Sequence, residues 1–183
     1  MKKNQKGFSL IELLIVVAII LIIAAIAIPN LIRARIAANQ SSAAASLRTL
    51  ASAAAMYQST YQNGYPPTLA TMAPTNGAAA TCLLAGLVDQ NLGVAPNQKS
   101  GFKFTWTPGA VLAPAGNCGT QGFSDGFAAV ANPISTQTGT VGYCVDASNV
   151  IIQGNAPPVA ANAPAAGVGP TCPTGAGFTP IGN

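Results

Sequence analysis

From Leu13 to Ile32 every residue is apolar except Pro29 and Asn30, and no small soluble fold can cover such a run on all sides of a helix. At 1.5 Å per residue the run spans about 30 Å, the thickness of bilayer hydrocarbon. The segment at about 9–32 is therefore read as membrane-spanning. Beyond it the helical pattern continues but becomes one-sided. Ile32, Ile36, Ala43, Leu47, Leu50, Ala54, Tyr57 and Tyr61 recur at helical spacings, while Arg33, Gln40, Ser42, Ser46, Thr49 and Ser52 fill the other faces. Residues 9–62 thus read as one helix of about 80 Å. Its first half needs an apolar environment on every side, and its second half needs a sheet on one side. Pro29, which has no amide hydrogen, is expected to kink the helix near the junction.

Asn63-Gly64 supplies a left-handed helix stop, and Pro66-Pro67 prevents resumption. A connecting region follows, in which Leu83, Leu84, Leu87 and Val88 predict a short helix over 81–91. Residues 102–107 alternate aromatic with polar side chains, as a half-buried strand does. Further strands are expected at 126–132, 141–146 and 150–153. Strands that follow one long helix imply an α+β fold, the helix packed on a small antiparallel sheet. The residues give four regions: 1–7, the helix 8–62, a globular head 63–153, and a Pro/Gly/Ala-rich tail 154–183. The tail has too few large apolar groups to build a core and is expected to be extended or mobile except near Cys172.

Just before the apolar run stands Gly7-Phe8-Ser9-Leu10-Ile11-Glu12, preceded by Met1-Lys2-Lys3-Asn4-Gln5-Lys6. An ionised carboxylate in hydrocarbon costs about 2.5–3.5 kcal/mol, so Glu12 is expected to have a partner and a task. A cut after Gly7 would create a free amine close by. This arrangement resembles the processing site of type IV pilins and pseudopilins, closely from Lys2 to about Gln40. Gly7 matches the residue before the cut, Phe8 the residue that becomes the N-methylated terminus, Glu12 the intramembrane acid, and Pro29 the proline near the end of the buried segment. The 65–69 and 100–106 stretches, Tyr-Pro-Pro-Thr-Leu and Ser-Gly-Phe-Lys-Phe-Thr-Trp, are similar to the turn after the helix and the first strand of pilin-like proteins.

The resemblance implies a structural subunit, not an enzyme, that assembles with copies of itself into a type IV pilus-like filament. It implies a prepilin peptidase/methylase, an assembly ATPase and a platform protein as partners. It also implies an inner-membrane precursor and roles in adhesion, motility, DNA uptake or secretion. The runner-up is a pseudopilin of a type II secretion apparatus; a monomeric membrane-anchored binding module would need neither Gly7 nor Glu12. An ordinary secretory signal, with Ala25-Ile26-Ala27 as its cleavage pattern, is opposed by Glu12, by Pro29 just past the cut, and by the helical pattern running on through it.

Lys2, Lys3 and Lys6 hold the amino end in the cytoplasm and send the rest outward, although Arg33 and Arg35 oppose them. The four cysteines, Cys82, Cys118, Cys144 and Cys172, all lie beyond the anchor, which fits disulfides in an oxidising compartment. They allow three complete pairings. Cys144 with Cys172, pinning the tail to the sheet, and Cys82 with Cys118 are preferred. Loss of the leader leaves five basic and four acidic side chains, a net of +1, which argues against nucleic acid as a partner.

The chain has no histidine, which excludes Ser-His-Asp and Cys-His catalysis and His-based metal sites. The cysteines are too far apart for zinc or thioredoxin-like motifs. No metal or cofactor is expected, and Asp89, Asp125 and Asp146 read as separate surface carboxylates. Arg33, Arg35 and Arg48 read as a solvated or subunit-pairing helix face. Tyr57 and Tyr61 fall on the core stripe, so packing is favoured over electron transfer through Tyr57, Tyr61, Tyr65 and Phe8.

Overall fold

The computed structural model describes residues 9–62, 64–112, 118, 122–154, 170–174 and 177–181. The chain divides into two compact units, Met1–Arg35 and Ile36–Asn183. Helix α1, Leu10–Tyr61, supplies the described part of the first unit and enters the second. In the second unit its buried residues run from Ala43 to Tyr57. At 100° per residue they cover about half the circumference of the helix. Leu47, Leu50, Ala54 and Tyr57 form the centre of this face, as their spacing predicts. The flanks are small: Ala44 and Ala51 on one side, Ser46 and Ala53 on the other. Ser46, expected outside, is therefore buried, because a wide arc of short side chains lets neighbouring segments close over the helix edge. Ile36 and Tyr61 are only half-buried.

The helix stops differently from the expectation. Gln62 takes the left-handed conformation (φ +54°), its N–H still bonding to Gln58 O at 2.8 Å. Gly64 has a task further along. At φ +121° its backbone lies so close to the next layer that a Cβ would come within 2.6 Å of Ser124 O. Tyr65 then forms a bridge with Ser124. Asn63 lies outside the described residues.

The sheet is α+β in the expected sense, with six antiparallel strands. These are β1 (Gln98–Lys99), β2 (Phe102–Pro108), β5 (Phe127–Pro133), β6 (Gly142–Asp146), β7 (Ile151–Gly154) and β8 (Phe178–Pro180), in the order β1-β2-β5-β6-β7-β8. A separate ribbon pairs β3 (Val111–Leu112) with β4 (Phe123–Ser124). In β2, Phe102 and Phe104 are buried while Lys103 and Thr105 are exposed. Phe102, Phe104, Ala129, Ala131 and Val145 share one apolar cluster with Leu47, Leu50 and Tyr57. Ala128, Val130 and Cys144 form a second cluster with Cys172 on the other face. Central strand β5 is thus buried on both sides. Its run of alanines makes both approaches possible.

A further sequence expectation is corrected. Residues 81–89 are not helical: Thr81 and Leu84 form a tight bridge, and Gly86 sits at φ +67°. The amides of Ala85, Leu87 and Val88 bond to the carbonyls of Thr71 and Met72 in the 3-10 turn Leu69–Met72. Tertiary backbone bonds therefore replace helical ones. Helix α2 is a short turn, Gln90–Gly93, capped by Asp89, whose carboxylate accepts from Leu92 N at 3.0 Å. The tail, read as extended or mobile except near Cys172, adds strand β8: Gly154 pairs with Phe178 and Ile152 with Pro180. Residues 155–169, where most of the tail expectation falls, lie outside the described residues.

Of the three pairings open to the cysteines, the structure holds Cys82–Cys118 and Cys144–Cys172, with Cα separations of 5.6 and 5.8 Å. They span 36 and 28 residues. Closing such loops in the unfolded chain is worth about 3.5–4 kcal/mol each in the chain-entropy account. Asp146 supports the second bridge by accepting the Cys172 N–H at 2.9 Å.

Tyr57 joins helix, disulfide and ribbon. Its hydroxyl donates to Cys82 O at 2.7 Å, and its ring packs on Tyr61 and Phe123. Burial, with the neighbouring Tyr61 second, pushes its pKa up to about 12. The neutral form is favoured on folding, so this contribution is intact below about pH 10 and is lost as pH rises towards 12. Tyr57→Phe is expected to cost about 1–2 kcal/mol, since it strands a buried carbonyl. The variant should also lose less stability than wild type between pH 10 and 12. Denaturant titration across that range checks both effects, and an identical alkaline slope in the two proteins would show that Tyr57 is not the titrating group.

Candidate functional site

The candidate functional segment is the start of α1, where the sequence places an acid beside a membrane-length run. Ser9 precedes the first helical residue, and its carbonyl accepts the first helical bond from Leu13 N at 3.3 Å. Its own N–H donates to Glu12 Oε2 at 2.9 Å. Ser9 stands at the N-cap and Glu12 three residues on, so the carboxylate satisfies an amide that the helix itself leaves unpaired. A negative charge in the first turn also complements the helix dipole. The sequence reading offers Glu12 the amine freed by a cut after Gly7 and misses this local partner. The Ser-x-x-Glu spacing of Ser9 and Glu12, a capping-box pattern, was the signal that could have found it.

Behind Glu12 the helix is bare. An 18-residue window of mean hydropathy 3.3 has none of its residues buried, and Leu10, Leu21, Ile26 and Leu31 are each at least 63% exposed. Each such side chain gains about 1.5–3 kcal/mol on leaving water. The segment therefore requires lipid or other apolar helices around it. The helix continues unbroken through Pro29, whose missing N–H leaves Ala25 O without its usual i+4 donor. Gly7 and Phe8 lie outside the described residues.

The remaining candidates are accounted for one by one. Asp89 pairs with Lys99 at 2.6 Å. Burial acts to raise its pKa, but the hydrogen bonds and charge of Lys99, together with the amides of Leu92 and Asn91, outweigh burial and lower it. Asp146 accepts from Ser148 and Cys172, whereas Asp125, in the bend after β4, departs from the surface expectation: its Oδ1 is buried and has no hydrogen-bond partner among the described residues. Among the described residues no three His, Cys, Asp or Glu side chains gather as metal ligands. Tyr65 packs edge-on against Phe127 at 5.1 Å. Tyr57 and Tyr61 likewise serve packing.

Residues 2–28 match the family model described as the prokaryotic N-terminal methylation motif. That motif therefore spans Glu12 and most of the bare helix segment behind it. Over 56 residues, 31% of this chain, it is 54% identical to the type IV wide pilus major component PilA4 of Thermus thermophilus, covering 43% of that protein. Over 47 residues, 26% of this chain, it is 55% identical to the type IV major pilin protein PilA of Myxococcus xanthus, covering 21%. The match thus spans less than half the length of either relative. No solved structure matches the chain significantly.

Proposed function

We propose that the chain is a structural subunit of a type IV pilus-like filament, made as an inner-membrane precursor with its C-terminal domain outside the cytoplasm. The observation that carries this reading is the helix segment from Leu13 to Ile28, apolar on every face and uncovered, within a methylation motif over residues 2–28. Lipid covers such a helix before assembly, and identical helices cover it afterwards. A prepilin peptidase cuts after Gly7 and methylates Phe8. An assembly ATPase and a platform protein lift the subunit out of the membrane, and Pro29 is where the helix flexes to fit its neighbours. Glu12 guides docking. Its Oε2 holds the Ser9 amide, and the spare acceptor sites of the carboxylate receive the Phe8 ammonium of an adjacent subunit.

The two relatives are named as major components of pili, which favours a surface filament over the short periplasmic filament of a pseudopilin. The test is the mass of the mature chain together with electron microscopy of sheared surface material. A methylated chain beginning at Phe8 in abundant long filaments is the expected result. The same mature chain confined to the periplasm would assign it to a pseudopilin, and an unprocessed monomer would reject the filament.

A further inference from the structure

Strand β2 has one protected edge and one edge that is partly free. The amides of Gly109 and Ile134 bond to Gly126 O and Gly101 O, so the odd-numbered residues of β2 turn their backbone groups towards β5. The even-numbered residues turn theirs outward, as Phe104 N confirms by donating to Asn97 O at 2.8 Å. Strand β1 covers this outer edge only opposite Phe102 and Lys103. Beyond Phe104 no strand follows among the described residues. The N–H and C=O of Trp106 therefore point outward together, and neither has a backbone partner among the described residues.

A groove of 540 Å³ runs along this edge, lined among others by Pro67, Thr68, Ala95, Asn97, Lys103 and Trp106. Its size is that of a ligand cleft. The indole beside it is held rigidly: Trp106 stacks on Phe127 at 4.6 Å with 3° between the rings, and its Nε1 donates to Pro66 O at 3.0 Å. Lys103 is the one charged residue in the lining, and it has no ion-pair partner among the described residues. The groove thus offers backbone pairing, an aromatic wall and a single positive charge.

We propose that the outer edge of β2 from Phe104 to Pro108 is a strand-addition site for an extended peptide bearing a carboxylate, with one central residue exchanging both backbone hydrogen bonds with Trp106. Unpaired strand edges recruit peptides in this way, main-chain bonds giving affinity and neighbouring pockets giving selectivity. Pro108 has no N–H to offer, and Asn97 closes the other end. The added strand is therefore short. An antiparallel peptide brings its C-terminal end towards Lys103, and the absence of acidic residues from the lining leaves that charge unopposed.

The probe is an acetylated, amidated Val-Thr-Asp peptide added to the full chain in detergent micelles, its Thr opposite Trp106 and its Asp opposite Thr105, on the face that carries Lys103. Trp106 is the only tryptophan, so its fluorescence reports the site directly, and slowed hydrogen exchange of its amide reports pairing. A saturable change in both is expected. N-methylation of the central threonine should weaken binding at least about tenfold by removing one of the paired amides. Lys103→Glu should weaken the acidic peptide about fivefold to tenfold and favour its lysine-ended counterpart. No saturable response up to millimolar peptide would overturn the site, as would equal binding of the N-methylated peptide. Indifference to the Lys103 charge reversal would overturn the carboxylate preference.

Discussion

Glu12→Gln is expected to enter the membrane and be processed normally, yet to appear in sheared filaments at a tenth of the wild-type level or less. The substitution keeps an oxygen that can accept the Ser9 N–H, now found at 2.9 Å from Glu12 Oε2, and removes only the charge. Hydrogen bonds to charged groups are worth about 1.5–3 kcal/mol, roughly a tenfold to hundredfold change in each docking equilibrium. Glu12→Val removes both the charge and the cap. The cap adds about 0.5–1.5 kcal/mol of local helix stability, so Val should fray the first turn while Gln should not. Head stability should not change in either variant. Each variant is expressed as the only copy, and mature subunit is measured in membranes and in sheared material. Filaments at normal yield from the Gln variant would show that Glu12 acts as a helix cap and not as a charge partner. Loss of both variants from the membrane would make its role purely one of anchoring.

Gly7→Val should leave the precursor uncut. In the processing proposed above, a peptidase working at the membrane face would meet a backbone with no side chain at this position, and a branched Cβ would obstruct that approach. The uncut chain keeps Lys2, Lys3 and Lys6, and no amine forms at Phe8 for Glu12 to meet. Processing and assembly are therefore lost together. Intact mass and terminal sequencing check this. Phe8 found first in the variant would refute the role of Gly7, and Ile28 found first in the native chain would make the N-terminus a conventional secretory signal.

How much of the protein was legible depended on whether the deciding interaction was local. The helix over Leu10–Tyr61 follows from an apolar run that becomes a one-sided stripe, because helical periodicity is written in residues three and four apart. The alternation in β2 placed Phe102 and Phe104 inward for the same reason. The N-terminal methylation motif over residues 2–28 was legible in the sequence, and the Ser9–Glu12 cap could have been read from its spacing.

The rest was set by contacts between distant parts of the chain. Residues 81–91 carry apolar spacing that suits a helix, yet their amides bond to Thr71 and Met72, partners that only the folded chain brings near. Phe178–Pro180 is too short and too proline-marked to announce a strand, and it becomes one by pairing with the β7 edge. Ser46 looks polar and outward but lies under the closing edge of a broad helix face. Among the described residues the backbone groups of Trp106 have no partner because β1 stops short of them. The sequence by itself determined the long apolar helix, the N-terminal methylation motif and the α+β class, since these rest on periodicity and on residues close together in the chain. Only the tertiary structure decided the connecting segment, the sheet edges and the disulfide pairing, because each depends on which remote backbone is left to satisfy a hydrogen bond or reach a sulfur.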